Sequence, residues 1–117
     1  MAADGEVVIK QLGQLGLDLL KEVDTYGDLE VMAVDTEGDY RAAFAKVYKD
    51  ALGNMEERKQ AAVAATDAEW RTWGKALAAV KRQRESLKAL HARVDIGRTM
   101  ASRDKALVSL AGRDGSA

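Results

Sequence analysis

Apolar residues that recur every seven positions constrain the fold of this chain more than any other feature. The first ladder is Leu12, Leu19, Tyr26, Ala33, Tyr40 and Val47, and the second is Trp73, Val80, Leu87, Val94, Ala101 and Val108. A period of seven places such side chains along one edge of an α-helix, where they pack against a second helix as in a coiled coil. The sequence therefore predicts two long helical arms that meet along an apolar seam.

A turn signal separates the two ladders. Gly53 suits the left-handed position just beyond a helix end, and Asn54 is a good N-cap with Glu57 three residues later. Because this connection is short, the two arms should be antiparallel neighbours. We predict an all-α fold, a long coiled-coil-like antiparallel helical hairpin. Arm one covers about residues 6–52, arm two covers about 54–110, and a frayed tail covers 111–117.

The composition agrees with this hairpin. A chain of 117 residues is the size of one domain, residues 1–117, and it contains no proline. Aromatic residues make up only 5% of it, which favours helices that touch along narrow seams over a thick globular core.

Two glycines leave the continuity of arm one open. Gly27 and Gly38 each cost roughly 1 kcal/mol relative to alanine in a helix interior, and Asp35 or Thr36 could cap a new helix. The alternative to one helix is therefore an arm broken near 27–38, with helices at about 6–25 and 36–52.

Charge is distributed unevenly along the chain. Residues 1–70 hold 7 Lys and Arg against 15 Asp and Glu, whereas residues 71–105 hold 10 against 3. Folding back about Gly53 places residues whose numbers add to about 106 at the same level. Asp18 then lies level with Lys88, Glu22 with Arg84, and Asp35 with Arg71. The first interpretation is that the acidic arm balances the basic one inside the hairpin.

The alternative is a nucleic-acid surface on the basic face of residues 81–105. Its contacts to phosphates would come from Arg82, Arg84, Lys88, Arg93, Arg98 and Arg103. This basic stretch has no aromatic residue on which a base could stack. It also lacks the patterns of a helix-turn-helix, an RNP motif or a zinc finger.

The residues of catalytic chemistry are sparse. The absence of cysteine excludes disulfides, thiolate catalysis and cysteine-bound metals. His91 is the only histidine and has no metal-ligand spacing around it, and no phosphate-binding loop pattern occurs. We therefore predict that the protein is not an enzyme and has no catalytic residue, cofactor or metal site. No apolar run is long enough to span a membrane and the N-terminus does not resemble a secretory signal, so we expect no membrane partner and a cytoplasmic location.

Self-association is predicted because a two-helix hairpin leaves apolar residues uncovered. Val31, Met32, Val34, Met100 and Leu107 fall outside the seam, and a second copy would cover such a stripe. Trp70 and Trp73 are expected to bury against arm one, with a role as partner-binding anchors as the alternative. The predicted interface residues are Trp70, Trp73, Met100 and Leu107.

One resemblance adds a biological setting. The stretches "YRAAFAKVYKDALGNMEERKQAAVAATDAEWRTWGKAL" and "RESLKALHARVDIGRTM" resemble a group of small, mostly uncharacterised helical proteins that bacteriophages encode, notably phages of actinobacterial hosts. The similar features run from Tyr40 to about Met100. The resemblance implies the host-cell cytoplasm, a host or phage protein as partner, and no site residues.

These observations lead to one functional expectation and one alternative. The expectation is a non-enzymatic helical interaction or scaffold protein, of the phage accessory type, that acts through protein–protein contacts. The alternative is a nucleic-acid-binding accessory protein of phage DNA metabolism.

Overall fold

Three helices account for nearly all of the structure. The computed structural model describes residues 2–115, which form α1 (Ala2–Asp50), α2 (Met55–Ala65) and α3 (Asp67–Gly115), without a strand. The chain passes along α1, turns, and returns through α2 and α3. The all-α, coiled-coil-like antiparallel hairpin is confirmed.

Arm one is a single helix. α1 continues through Gly27 and Gly38 without interruption, so the alternative of a break near 27–38 is not the structure adopted. The two glycines together cost only about 2 kcal/mol. Both glycines lie well inside a helix of 49 residues, whose packing against α3 supports the hydrogen-bonded ladder where local propensity is low.

Arm two is interrupted, which corrects the prediction of one helix from 54 to about 110. The interruption is Thr66, whose backbone angles are φ −110° and ψ 18°. Its hydroxyl and its N–H both donate to the carbonyl oxygen of Ala62, at 2.6 and 3.1 Å. Its own carbonyl accepts the N–H of Trp70 at 3.0 Å, so the helical hydrogen bonds of α3 resume directly after Thr66.

The far end of arm two extends beyond the prediction. α3 runs to Gly115, so residues 111–115 of the predicted frayed tail are helical. Residues 116 and 117 of that tail lie outside the described residues.

The predicted turn chemistry is present. Gly53 has φ +112°, a conformation that glycine adopts without a steric penalty. The side chain of Asn54 accepts the N–H of Glu57 at 2.9 Å. Arg58 Nε donates to the carbonyl oxygen of Tyr48 at 2.9 Å, which occupies an acceptor that the end of α1 leaves free.

Contacts divide the chain into two compact units, and the first of them, the turn unit, is Thr25–Arg84. Its core consists of Ala33, Ala76 and Val80, with Tyr26 and Leu29 packed against them. Because two of the three core residues are alanines, the α1 and α3 backbones can lie close together.

The terminal unit consists of Met1–Asp24 and Glu85–Ala117. Val94 is buried there, and the side chain of Leu12 occupies the space beside Gly97. A Cβ added at Gly97 would lie 2.6 Å from Leu12 Cδ2, so Leu12 packs directly against this glycine and would have to shift for a larger residue. Ser86 donates to Glu22 across the unit at 3.4 Å.

The ladders of the sequence form the seam, except at one end. Every ladder position is at least half-buried apart from Val108, which is 72% exposed. Within the turn unit the pairing of the ladders differs from the prediction. Numbers that add to about 106 would place Trp73 level with Ala33. Instead, Trp73 stacks on Tyr40, with ring centroids 5.6 Å apart. Arg58 of α2 still contacts Tyr48 of α1, at the predicted level, so the pairing changes between α2 and α3, across the Thr66 interruption.

Candidate interaction surfaces

The cations of the predicted phosphate-binding face all lie on α3 with exposed side chains. They are Arg82, Arg84, Lys88, Arg93, Arg98 and Arg103. Arg84 donates to the hydroxyl oxygen of Tyr26 through Nη2 and Nε, at 3.3 and 3.4 Å. Lys88 Nζ lies 3.4 Å from Glu85. The other four arginines have neither an ion-pair partner nor a hydrogen-bond partner among residues 5–112, whose side chains the structure describes.

Three ion pairs among the described residues connect neighbours in one helix. They are Arg41–Glu37, Arg71–Asp67 and Lys88–Glu85. The sequence placed Asp35 level with Arg71, and Asp18 level with Lys88. Being level did not make them ion pairs, because Arg71 and Lys88 each pair with a carboxylate three or four residues away in the same helix. Exposed pairs of this kind contribute about 0.5 kcal/mol or less.

A second stripe of α1 faces away from the seam in the turn unit. Gly27, Val31, Val34 and Gly38 follow one another at spacings of four, three and four, which keeps them on one side of the helix. Val31 and Val34 are 60% and 68% exposed. The two glycines left the continuity of arm one open in the sequence, although their spacing from the valines is that of one helix face.

The predicted interface residues fall in different environments. Met100 and Leu107 are exposed on α3, and Trp70 is 55% exposed, so the expectation that Trp70 buries against arm one is wrong. Trp73 is half-buried and stacked on Tyr40, as expected for a seam residue. Their part in an interface stays a prediction.

Two buried polar atoms lie near that aromatic stack. Glu69 Oε2 and Trp73 Nε1 have no hydrogen-bond partner among the described residues. They are four residues apart in α3, on the side that packs against α1. An unsatisfied buried polar atom costs about 1–3 kcal/mol, so this stretch of the seam is stabilised less than its burial alone would indicate.

The clefts of the described surface are open to solvent. The turn unit has one of ≈ 420 Å³, lined by Ala43, Lys46, Val47, Asp50, Ala51, Ala65, Thr66 and Glu69. It contains no nucleophile beside a base, the arrangement that covalent catalysis requires. His91 is exposed on α3. Among the described residues, no three His, Asp or Glu side chains are grouped to hold a metal ion.

Within residues 2–115, no helix is both long enough and apolar enough to span a lipid bilayer.

Fold and surface together define the class of this protein as a coiled-coil-like antiparallel helical hairpin, whose exposed charges and apolar stripes lie on outward helix faces. Comparisons with protein-family models, with curated proteins and with solved structures find no match for the chain.

Proposed function

We propose that this chain is a non-enzymatic helical interaction or scaffold protein that acts through protein–protein contacts and associates with itself. The supporting observation is the area that it leaves exposed. The chain has 9079 Å² of accessible surface, whereas a folded monomer of 12.7 kDa is expected to have about 6,200 Å². The excess of roughly 2,800 Å² is more than three times the ~800 Å² that one partner buries in a standard interface.

The small core supports the same proposal. The buried hydrophobic residues among those described are Ala33, Ala62, Ala76, Val80 and Val94. Fully burying a valine or leucine side chain contributes about 1.5–3 kcal/mol, and an alanine contributes less. Ordering each residue of the backbone costs about 1–2 kcal/mol. Contacts with another chain would supply part of the burial that the single chain lacks.

The biological setting of the proposal rests on the resemblance described above. The stretch from Tyr40 to about Met100 resembles phage-encoded helical proteins, so we place the protein among phage accessory proteins in the host cytoplasm. A host or phage protein would be its further partner.

Light scattering coupled to gel filtration tests the proposal. At micromolar concentration we expect a mass of at least twice the 12.7 kDa of one chain. A mass of one chain at the highest loading concentration would contradict self-association. Affinity capture from host lysate, followed by reconstitution with the purified captured protein, then tests for a different partner.

Nucleic-acid binding is the second candidate, because four arginines of α3 lack partners among the side chains described, those of residues 5–112. An electrophoretic shift with single- and double-stranded DNA over a salt series separates the candidates. A scaffold should bind DNA only with the ~10⁻⁴–10⁻⁶ M affinity of non-specific binding, and less as salt rises. Tight binding at physiological salt that is lost in Arg93→Glu/Arg98→Glu would favour the second candidate.

A further inference from the structure

We propose that a second copy of this chain docks by placing the outward face of its α3 against the outward face of α1, both within the turn unit. The α1 face consists of Gly27, Asp28, Val31, Val34, Asp35 and Gly38, and the α3 face consists of Gly74, Lys75, Ala78, Lys81 and Arg82. The inference rests on the proposed self-association and identifies the surfaces that would carry it.

The α1 face is a small apolar stripe with carboxylates beside it. Asp28 and Asp35 are seven residues apart and follow one edge of the stripe formed by Val31 and Val34. Both aspartates are exposed and have no ion-pair or hydrogen-bond partner among the residues that the structure describes. An incoming surface would have to be apolar at its centre and cationic at its edge.

The α3 face of the same unit has these properties. Gly74 and Ala78 are four residues apart and exposed, which makes a shallow apolar strip. Lys75 and Arg82 follow one side of it and Lys81 the other. These three cations are also without a partner among the described side chains of residues 5–112.

The two faces are complementary in charge, and the balance is visible along the unit. Residues 25–50 hold three Lys and Arg against six Asp and Glu, whereas residues 51–84 hold seven against four. The unit therefore carries equal and opposite charges on its two arms. Complementary potentials of this kind orient two surfaces and select against like-charged pairings.

The glycines agree with close approach at both faces. Within the chain, a Cβ at Gly27, Gly38 or Gly74 would meet no atom within 4 Å. The fold of one copy therefore does not require glycine there, although each costs roughly 1 kcal/mol in a helix. Contact with a neighbouring helix backbone does require small residues.

The contact is heterologous because it joins two different faces. After two copies join, one α1 face and one α3 face remain free, so association continues around a ring or along a chain. We expect the mass to pass that of a dimer as the concentration increases. A mass that stays at two chains over a hundredfold concentration range would contradict the proposal.

Two charge-reversal variants test the faces directly. One carries Asp28→Lys and Asp35→Lys on α1, and the other carries Lys75→Glu and Arg82→Glu on α3. Each alone should associate at least about tenfold more weakly, since like charges then face each other. An equimolar mixture of the two should regain wild-type association. The cationic α1 face of the first variant then meets the acidic α3 face of the second, and the two native faces meet each other. The off-face control Arg98→Glu/Lys105→Glu should associate as wild type does.

Gly74→Leu supplies a test in which loss of folding cannot explain the result. Leucine raises helix propensity by roughly 1 kcal/mol and meets open space in the single chain, yet it would keep the partner helix away. The thermal midpoint of the dilute variant should rise while its association falls.

The outcomes separate this inference from the proposed function. If wild type associates but each reversal variant associates equally well alone, or the mixture regains nothing, the assignment of the faces is overturned and self-association remains. If wild type is a monomer at all concentrations, both are overturned.

Discussion

At the scale of single residues, the seam consists of small side chains placed opposite large ones. The backbones approach closely at Ala33 and Ala76, and the stack of Tyr40 on Trp73 fills the space beside them. In the terminal unit Gly97 leaves room for the side chain of Leu12. Because each large residue depends on a specific small one, a seam residue tolerates a change of size or polarity less well than an outward residue does.

Replacing Leu19 or Leu87 by aspartate should therefore destabilise the protein. Both side chains are half-buried ladder residues, and a carboxylate placed there would be partly desolvated within an apolar seam. We expect a loss of about 2 kcal/mol or more in the free energy of unfolding. Urea denaturation followed by circular dichroism measures the change.

The control is Ala92→Asp, which introduces the same carboxylate at an exposed position of α3. It should cost about 0.7 kcal/mol or less, the loss of helix propensity alone. Equal midpoints for the leucine variants and this control would show that the ladders do not form the seam.

The ladder residues could be predicted from the sequence because burial in a hairpin repeats with the helix period. Val108 fits the period and is nevertheless 72% exposed, since period seven shows which side of α3 a residue occupies and not whether α1 still lies beside it. The ion-pair partners of Arg71 and Lys88 could not be predicted from which residues lie at the same height in the two arms, because such long side chains can reach several carboxylates.

At the scale of elements, the interruption at Thr66 determines how α3 meets α1. Arg58 of α2 contacts Tyr48 of α1, as the predicted pairing of the arms requires. Trp73 of α3 instead faces Tyr40 of α1, which departs from that pairing. A signal for the interruption was present, since Thr66 and Glu69 have the spacing of a capping box. It was not read because alanines on both sides favour a continuous helix. Thr66 also lies seven residues before Trp73, which continues the second ladder toward the turn.

The turn between α1 and α2 yields a prediction in which one substitution has opposite effects at two sites. Gly53→Ala should destabilise the protein by about 1 kcal/mol or more, because alanine is strained at a φ of +112°. Gly13→Ala should stabilise it by about 1 kcal/mol, because its Cβ meets open space inside a helix. Thermal denaturation of both variants at one protein concentration measures the pair. Effects of the same sign would contradict the assigned conformation of the turn.

At the scale of the whole molecule, the surface area and the core point in the same direction. The chain exposes 9079 Å², and its buried hydrophobic residues are alanines and valines. A single sequence predicts this excess, because two helices cannot cover each other completely. It does not predict the occupant, since the affinity of an interface depends on the residues of both surfaces.

The last prediction follows from coupling between folding and association. If the excess surface is buried in contacts between copies, only the assembled state is fully stabilised, and the melting temperature must rise with protein concentration. Unfolding at about 0.7 kcal/mol per residue gives ~80 kcal/mol for a chain of this length, so each tenfold increase should raise the melting temperature by about 3 °C for a dimer. Scans from 1 to 100 µM would span about 6 °C, well above the error of the measurement. If the seam within one chain were sufficient for folding, the melting temperature would not depend on protein concentration. A change of less than 1 °C over this range would therefore show that the hairpin folds alone. The α1-face variant serves as the internal reference, because reversing Asp28 and Asp35 should flatten the dependence while the off-face control retains the full slope.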